Sequence, residues 1–464
     1  MNITNISFKT YLFGLRCQLI LLAISLVFLS NMVWYIYPTY SACCDAAGYW
    51  KISDDLSIMT NNPIYGARTF AYPLLIMITR YVPQLLKLGT NFEYGFLSLL
   101  QLLLHYLSVV ALGYAVYILT RNKYLTSIFI YLFGLNIFLI AFTNQILTDG
   151  VAVSFLAIVI TFFIRITIYS KSSILLTIIF AILAGLLPII RPSLFLFSIT
   201  LYIMFLISYL HKNKINVFSL KSIFLSAIAF LIPMAIQTLQ NPSVFEILRG
   251  LGKFHIALGS YMYKYVTLLN PTPYGYAAFN HPMKQLIDSC ELSNQSSDCV
   301  KQVLISHPLM TLGHYATKIF ALNDQVYLTT YIHDFFTPER HVWRLINCMF
   351  LASSLLGCVL AMGKAVQNIS KYLFAILGTL TTLISLMLPL ITSVPEERFG
   401  LTFHPFFALA TSYFLCNIFA NGKFTLSNFA QIPFKIFAVF LILLSSLFLF
   451  SLHIESNFGI RLNG

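Results

Sequence analysis

Asp45 lies in the stretch Ser41 to Trp50, SACCDAAGYW, just past the end of the first long apolar run. An isolated carboxylate at a membrane edge is costly unless it is paired, bound to a metal or hydrated. Four other features occupy the same kind of position. They are Arg68 in GARTFAYP, Asp149 in Thr148-Asp149-Gly150, Arg191 before Pro192, and Glu396, Glu397 and Arg398 between Pro395 and Phe399. Together these residues suit one chemistry. A carboxylate such as Asp45 can take the proton of an acceptor hydroxyl as it attacks a sugar carbon, a role worth about two to four powers of ten in rate. Arg68, Arg191 and Arg398 stay charged and offer forked donors matched to the oxygens of a departing phosphate. Asp149, Glu396 and Glu397 can orient the acceptor or hold a divalent cation through oxygen ligands. Such a set would transfer a glycosyl unit from a lipid phosphate.

Each residue also has a purely structural reading. Asp45 can cap the amphipathic segment that follows it, and Asp149 can serve as the first-turn acid of a helix. Arg191 can snorkel to headgroups while Pro192 starts the next helix, and Glu397 and Arg398 can neutralise one another. His333, Asp334, Glu339 and His341 lie close in sequence but lack the HExxH spacing of a zinc helix, and they read as a solvated loop. No Walker loop, dinucleotide fingerprint, GxSxG elbow or nucleic-acid module is present, so neither a nucleotide cofactor nor a nucleic-acid partner is expected.

The elements that must position these residues are membrane spans. The 464 residues are 58% hydrophobic, 16% aromatic and only 9% charged, against about 25% charged in soluble domains. Apolar runs of spanning length recur from end to end without the alternation of a barrel strand, giving one all-α polytopic membrane domain over 1–464. Eleven spans are expected: 18–37, 95–119, 124–142, 151–169, 173–190, 193–210, 222–239, 345–362, 372–391, 400–420 and 436–453. Tyr72 to Leu88 is apolar but interrupted by Pro73, Arg80, Pro83 and Lys87, and reads as a helix lying at the interface.

Charge then orients the bundle. Lys9, Arg16, Arg121, Lys123, Arg165, Lys171, Lys212, Lys214, Lys221, Lys364, Lys371, Lys423 and Lys435 fall on one side, and all fifteen Asp and Glu on the other. By the positive-inside rule the basic side and the N-terminus are cytoplasmic. The net charge of +13 is therefore a topological signal. The acids and arginines singled out above share the outer, periplasmic face of a plasma membrane. Two long outer segments flank them, 38–93 and 240–344, and the second is long enough to expect a function for it. Cys290 and Cys299, in that segment, suit a local disulfide, whereas Cys17, Cys348, Cys358 and Cys416 read as apolar packers.

The order of motifs CDAAGYW, FAYPLL, TDGVAVSF, GLLPIIRPSLF and EERFGLTFHPFF resembles the GT-C superfamily of integral membrane glycosyltransferases, which includes the protein O-mannosyltransferases and the lipid A aminoarabinose transferase. The resemblance implies a helical bundle with interfacial helices in its first outer loop. It also implies a polyprenyl-phosphate-linked sugar donor and a lipid, glycan or protein acceptor. By position, Asp45 is similar to the catalytic acid, Asp149 to the second-loop acid, and Arg191 and Arg398 to basic residues near the donor phosphate. The chain departs from the common pattern in having a lone first-loop Asp45 and EERF for the usual ERY. A polysaccharide polymerase or ligase, or a flippase, is the alternative; the spans carry few polar groups apart from residues such as His105 and Asn136, which disfavours transport.

Overall fold

The computed structural model describes residues 8–36, 44–56, 68–168, 173–212, 217–240, 262–267, 275–278, 299, 302–303, 305–326, 328, 339–367, 369–391, 397–418 and 434–457. In chain order the helices are α1 (Phe8–Gly14), α2 (Arg16–Ile36), α3 (Cys44–Asp54), α4 (Ala71–Leu85), α5 (Thr90–Thr120), α6 (Lys123–Gly134), α7 (Ile137–Thr143), α8 (Thr148–Ile168) and α9 (Ile174–Ile190). A 3-10 turn, Pro192–Leu194, leads into α10 (Phe195–Lys212) and α11 (Val217–Gln240). The hairpin β1 (Met262–Thr267) and β2 (Gly275–Ala278) precedes α12 (Pro308–Asn323), α13 (Arg340–Val366) and α14 (Ile369–Ile391). A second 3-10 segment, Glu397–Phe403, then enters α15 (His404–Ile418), and α16 (Phe434–Asn457) follows.

Among the described residues, eight helices are long and apolar enough to cross a membrane, or nine if the bent pair α6 and α7 forms one span. The protein is thus a multi-pass membrane protein, but the expected count of eleven is not reached. Each of the other expected spans falls on a helix with a shorter described apolar stretch, Ile174–Ile190 and Ile376–Leu390. At 1.5 Å per residue, the 17 residues of α9 cover about 25 Å, less than a hydrocarbon core of about 30 Å. The α6–α7 pair bends by 48° where Asn136 caps α7, accepting from the amides of Phe138 and Leu139. Apart from the short antiparallel hairpin β1–β2, the described elements are helical, as expected. α4 is a 15-residue amphipathic helix and is not among the spans. It buries Tyr72, Ile76, Thr79 and Arg80 and exposes Ile78, Tyr81 and Leu85, a pattern that suits an interfacial helix.

Two apolar cores run along the bundle. One joins α1, α2 and α5–α7 around Leu22, Val109, Phe129 and Phe133. The other joins α4 and α8–α11 around Tyr72, Ile76, Phe180, Phe197 and Phe205. Polar side chains inside the spans fix the linker before α8. Asn144 accepts from Ser30 (3.0 Å) and Ser98 (2.6 Å), and Gln101 donates to the carbonyls of Thr143 and Gln145. Helices α2 and α5 therefore meet the start of α8 at one level, where Asp149 lies.

Basic residues gather at the opposite end. Gly14 lies beside Lys123 Nζ, Asn122 donates to Cys416 Sγ at 3.3 Å, and Lys364 donates to Asn417 at 2.9 Å. These contacts bring together the start of α2, the α5–α6 turn and the far ends of α13 and α15.

Candidate active site

Asp45 sits in the first turn of α3, where the positive end of the helix favours a carboxylate. Its Oδ1 accepts from Arg68 Nη2 at 2.9 Å and its Oδ2 from Arg398 Nη2 at 2.9 Å. Arg398 also approaches Asp149, with Nη1 4.0 Å from Oδ2, and Asp149 Oδ1 pairs with Arg191. The result is a continuous row, Arg68–Asp45–Arg398–Asp149–Arg191, drawn from five places spread over more than 350 residues. Five members of the expected set are thus brought together, Arg68, Asp45, Arg398, Asp149 and Arg191.

Local sequence explains each placement. Arg68 lies over the ring of Tyr49 at 4.5 Å and against the α3 backbone at Gly48, where an added Cβ would come within 2.9 Å of Arg68 Nε. Arg191 ends α9 in an extended conformation, because Pro192 disfavours helix at the residue before it. Phe399 carries both Arg191 (4.8 Å) and Arg398 (5.2 Å) near its ring. Gly400 packs so tightly on the carbonyl of Leu322 that no side chain fits there, which seats the 3-10 segment on α12. We expect Gly48→Ala to displace the Arg68 guanidinium with little effect on the fold. An experimental structure of the variant should show the Arg68–Asp45 hydrogen bond broken, while thermal stability changes little.

Electrostatically the row carries three guanidiniums and two carboxylates, a surplus of one positive charge among the described residues. Asp149 and Arg191 are almost fully buried, whereas the Asp45 side chain is 36% exposed. Burial alone would raise the Asp45 carboxyl, but the guanidiniums of Arg398 and Arg68 outweigh it and hold the group down at about 2. Asp45 is thus ionised throughout the physiological range. Arg68 Nε is buried against α3 with no hydrogen-bond acceptor among the described residues.

Glu396 lies outside the described residues, as do Cys290, His333 and Asp334. Glu397 opens the second 3-10 segment. Cys299 is disulfide-bonded, and Cys17, Cys348, Cys358 and Cys416 are free thiols. The described donors do not fit a divalent cation: both oxygens of Asp45 and of Asp149 face guanidiniums, and no group of three His, Cys, Asp or Glu is arranged around a common point.

Three features were not recognised from the sequence. Arg80, buried in α4, bonds Glu93 (2.6 Å), Asp54 (2.6 Å) and Ser53 (2.8 Å) and lies 4.1 Å over the Trp50 ring. An arginine inside an apolar helix was the available signal. Asp324 accepts from Ser451, which itself accepts from Arg344 Nε, and Arg344 in turn contacts His341 Nδ1 at 2.9 Å. His341 therefore belongs to this network. Lys318 of α12 is 1% exposed, and burial pulls its ammonium down to about 7 from an ordinary 10.5. Between those values the unfolded chain binds the proton and the folded chain does not, so folding stability rises with pH from about 7 to 10.5. Thermal unfolding measured across that range should show this slope in the wild type and lose it in Lys318→Met.

The chain matches no protein-family model, no curated protein and no solved structure.

Proposed function

We propose that this multi-pass protein is a GT-C-like glycosyltransferase that moves a sugar from a polyprenyl-phosphate donor to an acceptor at the outer face of a plasma membrane. One observation carries the reading: a partly buried row of three arginines and two carboxylates with a surplus positive charge, at the end of the bundle opposite the basic loops. A buried surplus of guanidinium suits an anion whose oxygens accept in pairs, as a phosphate does. The opposite sidedness of the basic loops supports the outer face for that row and a cytoplasmic N-terminus.

The geometry suggests an order of events. In the unliganded protein Asp45 is a weak base, because both of its oxygens are held. A donor phosphate would draw Arg68 and Arg398 onto its own oxygens and release Asp45, whose basicity then rises. The acceptor oxygen forms a bond to the anomeric carbon while the carbon–oxygen bond to phosphate breaks. Asp45 takes the acceptor proton, and the lipid phosphate leaves with the bonding pair, its charge met by Arg191 and Arg398. The configuration at carbon inverts.

Mass spectrometry of envelope glycolipids, glycans and glycoproteins from cells with and without the gene tests the reading. The expected result is loss of a single-sugar increment from one acceptor class. Loss of a whole oligosaccharide would favour a polymerase or ligase, and identical profiles would contradict glycosyl transfer.

A further inference from the structure

We infer that the cavity beside α3 is a sugar subsite, which takes one hydroxylated ring of a glycan acceptor next to the ring that is glycosylated. This inference rests on the glycosyltransferase reading and narrows its acceptor to a glycan of at least two rings. The cavity has a volume of about 150 Å³ and is walled by Trp50, Lys51 and Asp54 of α3 and by Tyr94 of α5. Ala46, Ala47 and Ile146 complete it, and the two alanines leave the space open. Drug-sized pockets run from roughly 300 Å³ upward, so this one suits a single ring.

Its lining has the two-sided character of a sugar. Trp50 and Tyr94 pack on one another, with ring centroids 4.3 Å apart, so Tyr94 and the rim of Trp50 line the cavity with aromatic surface for C–H groups, and Lys51 and Asp54 add a donor and an acceptor for hydroxyls. The walls are held in advance of binding. Arg80 lies over the Trp50 ring at 4.1 Å and fixes Asp54 at 2.6 Å, while Glu93, one residue before Tyr94, anchors Arg80 from α5. Gln145, buried and adjacent to Ile146, has neither side-chain amide atom hydrogen-bonded among the described residues, which marks an unmet polar need beside the cavity.

Placement decides which ring binds. Ala46 and Ala47 follow Asp45 in the first turn of α3, and Ile146 lies three residues before Asp149, so the cavity adjoins both acids along the chain. At about 100° per residue, however, the lining positions of α3 centre on the side away from Asp45. A ring seated there cannot also present its hydroxyl to Asp45. It is the neighbouring unit, with the glycan passing around the start of α3.

The test uses the full-length protein in nanodiscs and saturation-transfer NMR with a panel of methyl hexosides and their β- and α-linked disaccharides. Wild type should bind at least one of them, and Ala47→Leu, which fills the cavity with a good helix former, should bind at least tenfold more weakly. Polyprenyl phosphate binding, measured in parallel, should be equal in both. Unchanged saccharide binding in Ala47→Leu, or no saccharide signal in wild type, overturns the subsite. Failure of polyprenyl phosphate to bind wild type would instead remove the donor reading and leave the saccharide result standing.

Discussion

Asp45→Asn should lower turnover about 10² to 10⁴-fold, the range expected when a general base is removed. The amide is nearly isosteric, so α3 and the cavity beside it should persist. Donor affinity should be kept or improved, because losing a carboxylate raises the surplus positive charge of the row from one to two. The informative readout is this divergence, a fall in kcat without a rise in donor KM. If Asp45 served only to anchor Arg68 and Arg398, both parameters would worsen together. Undiminished turnover would exclude Asp45 as the base.

The second large effect concerns Arg191 and Asp149. Arg191→Gln leaves Asp149, whose side chain is 2% exposed, with the distant Nη1 of Arg398 as its only counter-charge among the described residues. Breaking a buried pair from one side costs about 3–5 kcal/mol, so thermal stability should fall sharply. The double variant Asp149→Asn with Arg191→Gln removes both charges and should recover most of that loss. It should not recover donor binding, because the anion site has still lost one of its three guanidiniums. Recovery of both stability and activity in the double variant would reduce the pair to a structural role.

The meeting of these residues was legible in the sequence because it follows from sidedness, which depends only on counting spans and signs. Asp45, Asp149, Arg191 and Arg398 all adjoin the same ends of apolar runs, and the positive-inside pattern put them on one face. Their pairing was not legible. Whether Arg398 faces Asp45, Asp149 or its neighbour Glu397 depends on helix rotation and on the seat that Gly400 finds against Leu322, and both are tertiary. Gly48 and Phe399 were unremarkable letters until Arg68, Arg191 and Arg398 were found against them.

Among the described residues, eight or nine of the eleven expected spans have the length and composition to cross a membrane. Hydropathy reads straight through Asn136 at the α6–α7 break, and it does not penalise a run as short as α9. Arg80 was read only as an interruption of an apolar run, whereas its partners, the buried Glu93 and the exposed Asp54, make it the fastening between α3, α4 and α5.

The central claim is that the arginine row receives the phosphate of a lipid-linked sugar and, in doing so, frees Asp45. An experimental structure of the protein in nanodiscs with a non-transferable polyprenyl-phosphonate sugar analogue tests it directly. The account predicts phosphonate density within hydrogen-bonding distance of Arg68 and Arg398, with Asp45 released from at least one of them. An analogue bound elsewhere, with Asp45 still held by both arginines, would contradict it.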